Sequence, residues 1–282
     1  MTSTQGASEQ DGRGTVVMVG VGKMGEAVLA GLVASRGPRD IVVVNRRAER
    51  DVELVERYGV TAGALPEAVI EVGLVVVAVK PKDVLGRLDA MREQLPERAV
   101  VVSLAAGLPS AVMERHLTPG QAVVRVMPNT PSLVGQGMSA LSAGSSVSDE
   151  QLAAVVALME ACGEVVVVPE EQQDAVTAVS GSGPAYLFAV AEAMIEAGVQ
   201  LGLPRDVATR LTNQTIKGAG TMLTDSGTHP SLLRENVTSP GGTTAQALRV
   251  LDEHAVRATF SAAMRACHDQ SAAMARAQLD EQ

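Results

Sequence analysis

Between residues 16 and 168 the chain carries six short runs that are apolar at nearly every position: 16–20, 41–45, 74–79, 99–104, 122–127 and 164–168. A strand with one wet face alternates apolar and polar residues, whereas a strand covered on both faces reads as an unbroken Val-rich run. Segments with helical spacing separate the runs, and parallel neighbours need crossovers of that kind. The front of the chain is therefore expected to be a doubly wound, parallel α/β sheet with helices on both faces.

Beyond Pro169 the β-branched runs stop. Ala-rich segments with helical spacing follow at 174–180, 184–201, 204–223, 242–252 and 255–278, broken by Gly and Pro near 202–204, 227–230 and 239–242. A chain of 282 residues accommodates this two-part plan. The expected division is a flexible tail over 1–14, an α/β domain over 15–169 and an all-α domain over 170–282. With two Tyr, two Phe and no Trp, both cores must be built from Ala, Val, Leu and Met.

The tail is polar and Gly/Ser-rich, without the basic start and apolar run of a signal peptide. The best candidate membrane segment, 185–199, carries Glu192 and Glu196 one turn apart on one face, a costly pair in hydrocarbon, so no membrane span is expected. A net charge of −9 argues against nucleic acid and anionic membranes as partners. Cys162 and Cys267 stand far apart with no metal or redox spacing, which fits a reducing compartment and a cytoplasmic location.

Gly20, Val21, Gly22, Lys23, Met24 and Gly25 follow the first run and open a helical pattern, the context in which a GxGxxG spacing is informative. Gly20 permits a tight turn, Gly22 lets the backbone approach a pyrophosphate, and Gly25 allows a helix to pack closely on a strand. The front domain is thus expected to be a Rossmann-like dinucleotide site. Its second run ends in Asn45, Arg46 and Arg47, where an NAD site usually has an acid. Two guanidiniums there suit a 2′-phosphate, so NADP(H) is expected ahead of NAD(H). A solvated helix start is the competing reading, but Arg at a helix N-terminus opposes the dipole. Ala78, Val79, Lys80 and Pro81 close the third run, and Leu104, Ala105 and Ala106 close the fourth; both belong at the carboxyl edge, flanking the nicotinamide.

In the helical half, Ser239-Pro240-Gly241-Gly242 reads as a turn, with Thr243 and Thr244 in the first turn of the next helix. Free N–H groups there would suit a carboxylate, and the hydroxyls an imine or amine nitrogen. An ordinary capped interhelical turn fits these residues equally well.

Asn236-Val237-Thr238-Ser239-Pro240-Gly241-Gly242-Thr243-Thr244 closely resembles the signature of the pyrroline-5-carboxylate reductases. Residues 20–25, 126–131 and 178–186 are similar to that family's blocks in the family's order, so the resemblance runs from about 15 to 270. It implies a C-terminal dimerisation domain and reduction of L-1-pyrroline-5-carboxylate to L-proline, the final step of proline biosynthesis, by hydride transfer to the imine carbon. It implies substrate contacts at Glu170, Asn236, Gly242, Thr243 and Thr244, with Thr244 as the catalytic group facing the ring nitrogen. Implied cofactor contacts are Val19, Gly20, Val21, Gly22, Lys23, Met24, Asn45, Arg46, Ala78, Val79, Lys80, Pro81, Leu104, Ala105 and Ala106. It also implies a homodimer through the C-terminal helices, each active site lying between one chain's cofactor domain and its partner's Thr244 segment. Assembly into a ring, a decamer of dimers, is left open. The chain departs from the family at Leu65-Pro66, where many relatives carry Asn, and in the acidic pair Glu170 and Glu171, which blurs the register.

His116, His229, His254 and His268 are scattered, so no metal site is expected. Ser180 and Ser182 lack a nucleophile's strand-end setting and a partner His. A β-hydroxyacid dehydrogenase would need a lysine soon after Gly183; none is present, and Lys217 lies too far along. A non-catalytic NADPH sensor is the remaining rival, and the intact 236–244 block argues against it.

Overall fold

The computed structural model describes residues 14–70 and 72–280, so the expected tail lies outside them except for Gly14. The sheet has eight strands: β1 Val16–Val19, β2 Ile41–Val44, β3 Thr61–Ala62, β4 Leu74–Val77, β5 Val100–Ser103, β6 Ala122–Met127, β7 Gly137–Ala143 and β8 Gly163–Val167. Their order is β3-β2-β1-β4-β5-β6-β7-β8. The chain leaves β1 toward β2 and later returns to β1's other side with β4, which opens a crevice at the carboxyl ends of β1, β2 and β4.

Six helices serve this sheet: α1 Lys23–Arg36, α2 Ala48–Tyr58, α3 Pro81–Met91, α4 Ser110–Arg115, α5 Asp149–Glu160 and α6 Gln173–Val176. Alternate residues of β1 enter opposite cores. Val16 and Met18 pack with Val28, Leu29 and Leu32 of α1, Leu54 of α2, and Val155 and Met159 of α5. Val17 and Val19 pack with Val84, Leu88 and Met91 of α3, and Val112 and Met113 of α4. The sheet is therefore covered on both faces, as its unbroken apolar runs require.

Two expectations need correction. β7 pairs antiparallel with β6, so the sheet is not parallel throughout. Its sequence, Gly-Met-Ser-Ala-Leu-Ser-Ala, has no β-branched residue, and the strand exists because β6 and β8 bond it on either side. β8 is an edge strand, with Val166 and Val167 39% and 51% exposed, so its apolar run does not mark two covered faces.

The chain divides into two compact units, one running to Gly181 and resuming at His268, the other comprising Ser182–Cys267. Residues 170–181 stay with the sheet, whereas the expected boundary fell after Pro169. The Gln173 amide reaches Ala140 O and Ser142 Oγ, and Ser271 Oγ donates to Asp174 at 2.6 Å. A π turn, Thr177–Gly181, follows α6.

The remaining helices are α7 Gly183–Gln200, α8 Arg205–Asp225, α9 Pro230–Asn236, α10 Thr243–Glu253 and α11 Val256–Asp280. α7 and α8 approach through small residues, a Cβ on Gly198 falling 3.1 Å from Ala208 Cβ. Arg205 binds the Glu196 carboxylate at both oxygens. α9, too short to show a period, begins at Pro230 behind His229, whose ring accepts from the Ser231 amide. By length and composition Glu170–Gln200 would cross a membrane, and only 6% of its most apolar stretch is buried; an interface helix has the same composition and exposure.

Gly163 joins α5 to β8 at φ +139, and a Cβ there would lie 2.1 Å from the Gly137 carbonyl oxygen. Backbone cannot step aside as a side chain can. Gly163→Ala should lower the unfolding free energy by at least about 2 kcal/mol, read as an earlier urea midpoint at unchanged slope. An unmoved midpoint would show that β8 tolerates displacement.

Candidate functional site

The glycine turn bridges β1 and α1. Gly20 adopts φ +78, and a Cβ there would strike Val79 at 2.0 Å, so only glycine lets β1 and the end of β4 come this close. A Cβ on Gly25 would sit 2.9 Å from Ala78 Cβ, which seats α1 against the same strand. Gly22 has nothing within 4 Å of its Cβ position, leaving its backbone open to a ligand. It caps α1 without any side-chain bond, so the first N–H groups of that helix keep their hydrogen-bonding capacity.

A cavity of about 610 Å³ opens over this turn. Val19, Gly20, Val21, Gly22, Asn45, Arg46, Arg47, Ala78, Val79 and Lys80 line it, as the sequence led one to expect. Lys23, Met24, Gly25, Pro81, Leu104, Ala105 and Ala106 are not among its lining. The first three belong to α1 and Pro81 is the first residue of α3, whereas Leu104, Ala105 and Ala106 follow β5, one strand further from the switch point. Sequence reasoning missed Val44, Arg50, Lys82, Asp83, Gly86 and Arg87. Arg50 lies three and four positions after Arg47 and Arg46, and Arg87 four after Asp83, spacings no different from a solvated helix face. Six cations against the one carboxylate of Asp83 make the wall electropositive. These features, with an uncapped helix start and bare glycine backbone, fit a phosphorylated dinucleotide.

The turn is also held from behind. The Val21 amide donates to Asn45 Oδ1 at 2.7 Å, and Asn45 Nδ2 donates to Asp51 Oδ1 at 2.7 Å. Arg50 Nε donates to Val21 O at 3.1 Å. Glu26 on α1 receives Arg50, Arg57 and Tyr58. Burial raises the Glu26 carboxyl's pKa, but the bonds from Arg50, Tyr58 and Arg57 outweigh it and hold the group below the usual glutamate range.

In the helical unit, the Ser239 carbonyl accepts from the Gly242 amide at 3.0 Å across Pro240 and Gly241, Gly241 lying at φ +70. Gly242 then caps α10 without a side-chain bond. The amides of Thr243 and Thr244 therefore open the helix with hydrogen-bonding capacity to spare. Thr244 is half-buried, while Thr243 and Asn236 are exposed.

Glu170, expected among the substrate contacts, has both oxygens engaged within the sheet unit. One accepts from the Ser110 amide at 2.8 Å and from Arg125 at 3.3 Å, and the other from the Ser110 hydroxyl. Asn129 is equally structural: its amide group donates to Ser180 O and accepts from the Met138 N–H. Ser182 Oγ lies 3.2 Å from Cys267 Sγ. Among the described residues no group of three His, Cys, Asp or Glu could hold a metal.

Fold and cavity together define a dinucleotide-binding oxidoreductase, and residues 15–107 match the family described as "NADP oxidoreductase coenzyme F420-dependent". Residues 170–274 match "Pyrroline-5-carboxylate reductase dimerisation". Over 262 residues the chain is 46% identical to the pyrroline-5-carboxylate reductase of Corynebacterium melassecola, covering 91% of this chain and 97% of that one. The chain belongs to the pyrroline-5-carboxylate reductase family. A solved pyrroline-5-carboxylate reductase from Coxiella burnetii superposes with a TM-score of 0.87 at 34% identity over 93% of this chain and 98% of that one. The Plasmodium falciparum pyrroline carboxylate reductase, solved with NADP bound, gives 0.84 at 28% identity over the same shares.

Because the Glu26 carboxyl titrates low, its network stabilises the fold above the ordinary glutamate pKa and loses that contribution as pH falls through the lowered value. Glu26→Gln should therefore destabilise most near neutrality, the gap from wild type closing as pH falls below the ordinary glutamate range. Urea midpoints across that range measure it, and a constant gap would refute the linkage.

Proposed function

We propose that this chain reduces L-1-pyrroline-5-carboxylate to L-proline with NADPH, the final step of proline biosynthesis. The observation that carries the reading is alignment with pyrroline-5-carboxylate reductases through both halves of the chain, the glycine turn and the 236–244 block alike. The sheet unit would hold NADP(H): the turn from Gly20 to Gly25 and the start of α1 at the pyrophosphate, Asn45, Arg46 and Arg47 at the 2′-phosphate, and Ala78, Val79, Lys80 and Pro81 with Leu104, Ala105 and Ala106 toward the nicotinamide. Bound there, NADPH supplies a hydride.

The helical unit receives the substrate. The Thr243 and Thr244 amides at the uncapped start of α10 bind the carboxylate, where the helix dipole adds about 0.3–1 kcal/mol. Gly242 keeps the approach free of a side chain, and Asn236 stands at the end of the preceding helix. The Thr244 hydroxyl faces the ring nitrogen. As the imine carbon accepts the hydride, that nitrogen gains a proton, and Thr244 or a water it orients passes it on. Glu170 is assigned to bracing α4 rather than to substrate, since Ser110 and Arg125 already occupy its carboxylate.

The family's dimerisation domain spans the helices whose apolar surface is uncovered. The chain has two Phe, and both are exposed here, Phe188 by 66% and Phe260 by 39%. We assign that surface to a second copy of the chain, the partner's 236–244 segment completing each site. Light scattering of the same sample separates the dimer from a decamer of dimers. A cytoplasmic location and the absence of membrane and nucleic-acid partners belong to the same reading; both cysteines are free thiols.

Purified protein given NADPH and pyrroline-5-carboxylate should consume NADPH and form proline stoichiometrically. Absence of turnover, or turnover without proline, would sink the proposal. Thr244→Ala should lower kcat at least about tenfold with an unaltered circular dichroism spectrum; full turnover would remove the role assigned to that hydroxyl.

A further inference from the structure

Val21 is the one residue between Gly20 and Gly22, so the peptide planes on either side of it flank residues with no Cβ to restrain them. A peptide free to rotate there could turn its carbonyl oxygen toward a bound pyrophosphate, and two negative groups would then face each other. Two side chains prevent the rotation. Asn45 takes the Val21 N–H and Arg50 the Val21 carbonyl, from the end of β2 and the first turn of α2. Both are secured in turn, Asn45 by the buried Asp51 and Arg50 by carboxylates on two helices.

Arg50 lines the cavity among cations that suit phosphate, yet each of its three guanidinium nitrogens already has a protein partner. Nε donates to Val21 O, Nη1 to Glu53 at 2.8 Å and Nη2 to Glu26. Its side chain is 16% exposed. Arg46 and Arg47, by contrast, are exposed. We infer that Arg50 is a positioning residue for the dinucleotide: with Asn45 it fixes the peptides on either side of Val21, so that the Val21 carbonyl stays turned onto Arg50 and the pyrophosphate meets the free amides at the start of α1. This rests on the NADP(H) reading of the cavity.

The pyrophosphate is common to NADPH and NADH, whereas the 2′-phosphate belongs to NADPH alone, and that difference supplies the test. Dissociation constants for NADPH and NADH are measured by calorimetry on the wild type, Arg50→Met, Arg50→Lys and the Arg46→Ala/Arg47→Ala double variant. Arg50→Met should weaken both dinucleotides by about ten- to a hundredfold, leaving their ratio within about twofold. Arg50→Lys, which keeps one donor for Val21 O, should fall between it and wild type, and serves as the measurement if the Met variant does not fold. The double variant should lose NADPH selectively. Arg50→Met should raise the KM for NADPH by a larger factor than it lowers kcat. Unchanged affinities would overturn the inference, and so would a loss confined to NADPH, which would make Arg50 a 2′-phosphate ligand. A wild type that binds neither dinucleotide would overturn the cofactor reading together with this one.

Discussion

A sheet buried on both faces satisfies almost every backbone group it contains, and this constraint decides where chemistry can occur. Hydrogen-bonding capacity is left over only at strand ends and helix starts. The molecule uses two such places, the uncapped start of α1 over the glycine turn and the uncapped start of α10 behind Gly242. Each is a stretch of uncapped backbone whose shape depends on glycine rather than on any charged side chain, and the proposed reaction gives each an anion to bind. The electropositive residues around the first site add attraction and selectivity to a geometry that the main chain already provides.

The two halves differ in how they use apolar residues. In the sheet unit Val, Leu and Met fill two cores against helices of the same chain. In the helical unit much of the large apolar surface, including Leu187, Phe188 and Leu211, remains exposed. A helix such as α7 is therefore stabilised only in part by its own chain.

The sheet was legible because strands covered on both faces carry an all-apolar code that needs no tertiary information. β7 was not, since a strand of Gly, Ser and Ala has no propensity of its own and forms by being bonded on both edges. At the site, Gly20, Gly22 and Gly25 could be assigned one by one, because each answers a separate steric demand. Arg50 and Asp51 could not: along α2 they look like any solvated charges, and their partners Val21 and Asn45 are set by the packing of α2 beside β1. The surroundings of Glu170 were equally hidden. An acid near a resemblance block invited a substrate role, while Ser110, sixty residues earlier in the chain, already holds its carboxylate.

Cys162 lies wholly buried between α5 and α1, where a Cβ on Gly31 would come within 2.5 Å of its sulfur. Burial pushes its thiol up to about 11. Thiolate is the form that oxidants and alkylating agents attack, so near neutrality this sulfur is chemically silent. Of the chain's two thiols, that leaves Cys267 in the helical half as the one open to oxidation.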